Sequence, residues 1–130
     1  MIGLDSNVLL RYFTQDDPIQ SLKSTSIIEG LTVQNPGFVS HVVLAETAWV
    51  LQRTYKISSV DVAVSIIGLL QAASLVVQDE EAVVEALHAS NESRGTFADA
   101  LIGILSSRAG CTKTLTFDKR SMRLPGFELL

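Results

Sequence analysis

Short apolar runs alternate along the chain with longer stretches in which apolar positions recur every three or four residues, the periods of strand and amphipathic helix respectively. Ile2-Gly3-Leu4 reads as a short strand, followed by a short helix from about Ser6 to Phe13. Asp16-Asp17-Pro18 marks a second helix start, with proline at the first helical position, and this helix runs to about Leu31. Asn35-Pro36-Gly37 predicts a turn, and Phe38-Val39 a second strand. Ser40 is placed to cap a helix reaching about Tyr55. Ser58 or Ser59 caps the next, which carries Val62, Ile66, Leu69 and Leu70 on one side. Leu75-Val76-Val77 is a third strand, and Asp79, Glu80 and Glu81 suit the first turn of the helix after it, where negative charge meets the helix dipole. Thr96 opens a further helix that Gly110 ends. Thr114-Leu115-Thr116-Phe117 is a fourth strand, and Phe127 to Leu130 a fifth.

Strands separated by helices predict an α/β fold in which a parallel sheet is covered on both faces. In such sheets the functional groups collect at the carboxyl ends of the strands. A chain of 130 residues is the size of one domain, so a single domain over 1–130 is expected. Its 47% hydrophobic content rules out a disordered chain, because there is enough apolar surface to build a core.

Charge and cysteine narrow the chemistry. One cysteine, Cys111, builds neither a disulfide framework nor a cysteine-rich zinc site within one chain, and it is expected to be a small buried residue ahead of a strand. Asp5 interrupts the apolar start before a secretory leader develops, and no apolar stretch approaches the ~20 residues of a membrane span. A soluble, cytoplasmic protein is therefore expected. The net charge of −4 lacks the basic excess usual in nucleic-acid binders. The positive charge is nevertheless uneven: Lys113, Lys119, Arg120 and Arg123 fall close together, and Arg53 and Lys56 form a smaller group.

Most of the fourteen acidic residues need no special explanation, and Asp16, Asp17, Asp79, Glu80 and Glu81 fall in helix starts or turns. Four stand in apolar surroundings instead. Asp5 is the only charge among the first ten residues, at the end of the first strand; Glu46 lies mid-helix with Val42, Val43, Trp49 and Val50 at helical spacing. Asp99 precedes Ala100-Leu101-Ile102 near a helix start, and Asp118 ends the fourth strand. A buried carboxylate is costly unless paired or bound to a cation, and too few basic residues stand nearby to pair all four. Carboxylate oxygens are preferred ligands of Mg²⁺ and Mn²⁺. Each acid also has a plainer reading. Asp5 suits a helix cap, Asp99 a capping box with Thr96, and Asp118 a turn, whereas neither cap nor turn explains Glu46.

Taken in order, Asp5-Ser6-Asn7-Val8-Leu9-Leu10-Arg11-Tyr12, Leu44-Ala45-Glu46-Thr47-Ala48-Trp49-Val50-Leu51, Phe97-Ala98-Asp99-Ala100-Leu101-Ile102 and Thr116-Phe117-Asp118-Lys119-Arg120, with Leu124-Pro125-Gly126-Phe127, resemble the PIN domain, and most of all the VapC toxins of bacterial toxin–antitoxin pairs. The resemblance covers essentially the whole chain. It implies a three-layer α/β/α sandwich around a central parallel sheet of four to five strands. It also implies an endoribonuclease dependent on one or two Mg²⁺ or Mn²⁺ ions, a homodimer, and inhibition by a small VapB-type antitoxin. By position, Asp5, Glu46, Asp99 and Asp118 match the family's four acids, and Ser6, Asn7 and Thr116 match supporting polar positions.

The expected chemistry is hydrolysis of an RNA phosphodiester. A metal ion lowers the pKa of bound water and reverses the acids' repulsion of phosphate. Lys119, Arg120 and Arg123 are candidates to hold RNA phosphates, or else an ordinary solvated surface. His41 and His88 are expected to be structural or exposed, and Trp49 and Tyr55 to serve a core or an interface. An aspartyl phosphatase is disfavoured because Asn7 stands where its second acid belongs, and a receiver domain because Phe38-Val39 leads to Ser40 rather than an aspartate. The non-enzymatic alternative is an RNA- or partner-binding PIN-like module without catalysis.

Overall fold

A computed structural model describes residues 1–130, which divide into two compact units, Met1–Gln78 and Asp79–Leu130. The first unit is ordered β1 (Ile2–Gly3), α1 (Ser6–Thr14), α2 (Pro18–Glu29), β2 (Gly37–Val39), α3 (His41–Arg53), α4 (Ser59–Gln71) and β3 (Leu75–Val77). Each parallel step crosses over through a pair of helices, as parallel pairing requires. The sheet order is β1-β2-β3, with Ile2 opposite Gly37, Gly37 opposite Leu75 and Val39 opposite Val77. At Gly37 in the central strand a Cβ would come within 2.8–3.0 Å of the methyl ends of Leu31, Leu4 and Leu75, which would have to shift to admit it.

Three of the four helix starts in this unit follow the capping signals. Asp17 accepts from the backbone N–H groups of Ile19 and Gln20, Ser40 from Val43 and Ser58 from Asp61. On α3 the side chains that face the core are Leu44, Thr47, Ala48 and Leu51. On α4 they are Val62, Ile66 and Leu69, three of the four apolar residues expected on one side. Where α1 gives way to α2, the Tyr55 hydroxyl donates to Asp16 Oδ2 at 2.6 Å, and Arg11 Nη1 reaches Asp16 Oδ1 at 3.2 Å.

The second unit is ordered α5 (Glu80–Ser93), α6 (Phe97–Arg108), β4 (Thr114–Thr116), a tight 3-10 turn (Lys119–Arg123) and β5 (Phe127–Leu129). Ala82, Val83 and Ala86 on α5, Phe97, Ala100 and Leu101 on α6, and Leu124 supply its buried apolar side chains. Arg108 bonds Asp79 and Glu85 at 2.8 and 2.7 Å, tying the end of α6 to the start of α5. The Glu85 hydrogen bond, aided by the charge of Asp79, holds the guanidinium pKa above its ordinary value. Gly110, at φ +96°, follows the α6 C-cap in the left-handed conformation that ends the helix. β4 and β5 pair in parallel, Thr114 opposite Phe127 and Thr116 opposite Leu129.

All five expected strands form, and every pairing is parallel. Their hydrogen bonds divide them into sheets of three and two, rather than one sheet of four to five. β1 is only two residues long and bonds only β2. Cys111 is exposed, not buried, because it lies beyond Gly110 in the loop ahead of β4. No helix is long and apolar enough to cross a membrane.

Candidate functional site

In the first unit the site begins where β1 ends. Leu4 is buried and the backbone turns at Asp5, which stands at the N-cap of α1 in extended conformation (φ −83°, ψ 159°). Its carbonyl takes the first helical N–H, that of Val8, at 3.0 Å. Its side chain makes no capping bond, so the plain cap reading of Asp5 does not hold. Instead Oδ2 accepts a hydrogen bond from the Asn7 amide at 3.2 Å, and the carboxylate stays exposed.

Ser6, only 1% exposed, donates from Oγ to Glu46 Oε1 at 2.7 Å. That bond fixes the Glu46 carboxylate beside the start of α1. Glu46 itself is exposed, contrary to the expectation of a desolvated acid. The reason lies in α3: Val42 (73% exposed) and Trp49 (52%) sit on its outward side with Glu46, while the core is reached through Leu44, Thr47, Ala48 and Leu51. Trp49 is thus not a core residue, and the Arg53 guanidinium lies 5.5 Å from its ring centre.

The second unit repeats the device. Thr96 Oγ1 accepts from the Asp99 N–H at 3.1 Å, which makes half of a capping box. The other half is not made; Asp99 Oδ2 accepts from Ser121 Oγ at 3.1 Å. Asp99 is half-buried and Ser121 only 3% exposed. Asp118 follows β4 and caps the 3-10 turn, its Oδ1 accepting from the Arg120 N–H at 2.9 Å. Its own N–H donates to Thr116 Oγ1 at 3.0 Å, so Thr116 orients the backbone that carries the acid. Lys119, Arg120 and Arg123 are all exposed on this turn; Arg120 Nε lies 3.6 Å from Asp118 Oδ1, and Lys113 is paired with Glu128 at 2.9 Å.

Each unit therefore presents two acids, one of them braced by a buried serine hydroxyl. Ser121 was not legible in the sequence: it is one serine in a basic stretch, and its partner Asp99 lies 22 residues away. The bonds described leave Oδ1 of Asp5, Oε2 of Glu46, Oδ1 of Asp99 and Oδ2 of Asp118 for a further ligand. These are hard oxygen donors, the chemistry that suits Mg²⁺ or Mn²⁺. Within neither unit do three or more histidine, cysteine, aspartate or glutamate side chains gather as a metal cluster. His88 is exposed, and the buried His41 Nε2 has no partner.

No curated protein matches the chain. The model of the PIN domain family matches residues 2–126, a span that includes Asp5, Glu46, Asp99, Asp118 and both bracing serines. That match extends over nearly the whole length and takes in both carboxylate pairs, so the chain belongs to the PIN domain family.

Proposed function

We propose that the chain is a metal-dependent endoribonuclease that hydrolyses RNA phosphodiester bonds. We further propose that residues 1–130 form one nuclease domain, the toxin of a VapBC-type pair, acting in the cytoplasm. PIN domains are generally nucleases with RNA-related functions. The observation that carries the finer reading is the pair of serine braces. Ser6, the residue after Asp5, engages one carboxylate oxygen of Glu46, and Ser121, on the turn that Asp118 caps, engages one of Asp99; each leaves the other oxygen.

In this reading Asp5, Glu46, Asp99 and Asp118 hold one or two Mg²⁺ or Mn²⁺ ions. Such an ion, when bound, lowers the pKa of water and offsets the negative charge of the phosphate. The chain's own part is positional. Asn7 steadies Asp5, Ser6 steadies Glu46, Ser121 steadies Asp99, and Thr116 orients the Asp118 backbone. Lys119, Arg120 and Arg123 are exposed and hold RNA phosphates, which gives affinity without sequence choice. A homodimer draws support from the exposed Val60, Val64 and Ile67, which recur at helical spacing on α4. Trp49, exposed beside Arg53, suits an interface such as one with a VapB-like antitoxin.

A non-catalytic RNA- or partner-binding module is the second reading, favoured by the absence of three gathered metal-type ligands within either unit. Purified protein incubated with structured RNA in Mn²⁺, Mg²⁺ or EDTA separates the two. The nuclease reading expects cleavage with either ion and none in EDTA. RNA binding without cleavage under every condition supports the module.

A further inference from the structure

The largest exposed apolar side chain in the second unit stands immediately before one of the proposed acids. Phe117 is 80% exposed, although phenylalanine is among the residues most often buried. It lies just past the end of β4, and the backbone on both sides of it is pinned. The Thr116 carbonyl accepts from the Leu130 N–H at 2.8 Å. Thr116 Oγ1 accepts from the Asp118 N–H at 3.0 Å, and the Asp118 carbonyl from the Ser121 N–H at 3.1 Å. The ring is thus carried outward on a fixed turn rather than on a loose loop.

Three exposed cations follow within six positions, Lys119, Arg120 and Arg123, and the Arg120 side chain is 83% exposed. An outward aromatic ring followed by exposed cations, of which Arg120 reaches Asp118 Oδ1 at 3.6 Å, next to a carboxylate proposed to bind metal, matches what a nucleic-acid chain presents: a flat apolar base beside a phosphate. We infer that Phe117 is a positioning residue that stacks on an unpaired RNA base and so sets which phosphate lies over Asp118. This rests on the nuclease reading above. Stacking is tolerant of base identity, because every base has a π-face, so Phe117 contributes register and affinity rather than a sequence code. Leu115, 51% exposed and two residues earlier, extends the apolar surface but has no ring to stack.

The test measures binding of the full chain to a short fluorescent oligouridine and to the same oligomer with abasic sites, in EDTA and at low salt. Wild type is expected to prefer the oligomer with bases. Phe117→Ala is expected to lose about five- to a hundredfold in affinity, the range seen when stacking aromatics are truncated. It should leave the salt dependence unchanged, since no charge is removed. Phe117→Trp should restore binding, and Leu115→Ala should leave it intact. A single 2-aminopurine in the oligomer should be quenched on binding by wild type and by Phe117→Trp, but not by Phe117→Ala. Equal affinity of wild type and Phe117→Ala, or equal affinity for the abasic oligomer, overturns the stacking role while leaving the nuclease reading standing. Unchanged RNA binding with an altered oligomeric state in both Phe117→Ala and Leu115→Ala assigns the patch to a protein interface and overturns it too. Failure of the wild type to bind RNA in EDTA overturns the stacking role, which needs no metal, and leaves the nuclease reading to the cleavage assay above.

Discussion

Ser6 Oγ and Glu46 Oε1 meet at 2.7 Å although 40 residues separate them, and the serine is almost wholly removed from solvent. A buried hydroxyl on a carboxylate is a charge-assisted bond, and its loss leaves the acid free to rotate. Ser6→Ala is expected to destabilise the fold by about 1.5–2 kcal/mol, the lower part of the range for bonds to charged groups. It is also expected to slow RNA cleavage by more than the lost stability explains. Urea melts and single-turnover rates on the same preparation check this. Unchanged rates together with unchanged stability would show that the bond neither braces nor positions Glu46.

The four acids carry the second prediction. Asp5→Asn, Glu46→Gln, Asp99→Asn and Asp118→Asn keep the shape of each side chain and remove its charge, so each is expected to abolish most metal-dependent cleavage. Glu85→Gln, in an acid bonded only to Arg108, should leave it nearly intact. Near wild-type rates in any two of the four amide variants would refute the proposed ligand set.

Metal should also reveal itself through stability. An ion that binds the folded chain alone stabilises it by ~2.7 kcal/mol at a hundredfold excess over its dissociation constant. Thermal melts in EDTA and in Mn²⁺ should differ for wild type and converge for Asp5→Asn. Asp5 makes no side-chain cap bond, so its replacement removes a metal ligand without removing a cap. A wild-type melting temperature indifferent to millimolar Mn²⁺ would exclude the centre.

Asp16 gives a pH prediction apart from the site. The Tyr55 hydrogen bond, then that of Thr14, holds its carboxyl pKa below the ordinary value. The folded state therefore releases this proton more readily than the unfolded state. The resulting stability is fully present above the ordinary carboxylate pKa of about 3.9 and is lost as pH falls through the lower folded value. Tyr55→Phe removes the donor, so its stability should fall less steeply with acid in that window than that of the wild type. Chemical melts of both proteins at successive acid pH values measure the two slopes. Parallel slopes would assign the acid limb to other groups.

The exposed cations of the 3-10 turn give the last prediction. Joint replacement of Lys119, Arg120 and Arg123 by alanine should weaken RNA binding. It should also reduce the slope of log affinity against log salt by ~0.7 for each single-strand phosphate that these cations neutralise in the wild type. A titration series in salt decides it, and a slope equal to that of the wild type would place the RNA elsewhere.

Local signals in the sequence determined the helices and strands because each depends on neighbours a few positions away. Ser40, Ser58 and Thr96 cap the backbone three residues on, Pro18 enters a first turn, and Gly110 takes the positive φ that ends α6. The same locality made the order of Asp5, Glu46, Asp99 and Asp118 readable as a PIN domain pattern, now matched over residues 2–126. Tertiary structure alone decided which way those acids face and what holds them. The apolar residues around Glu46 suggested burial, but helix periodicity gives the spacing of a face without saying which face meets the core. Packing turned Leu44, Thr47, Ala48 and Leu51 inward and left Val42, Glu46 and Trp49 outside. The braces from Ser6 to Glu46 and from Ser121 to Asp99 join separate elements, so no short-range pattern contains them. Strand pairing is non-local in the same way: five strands were legible one by one, while their partition into three and two depends on hydrogen bonds between residues far apart in the sequence.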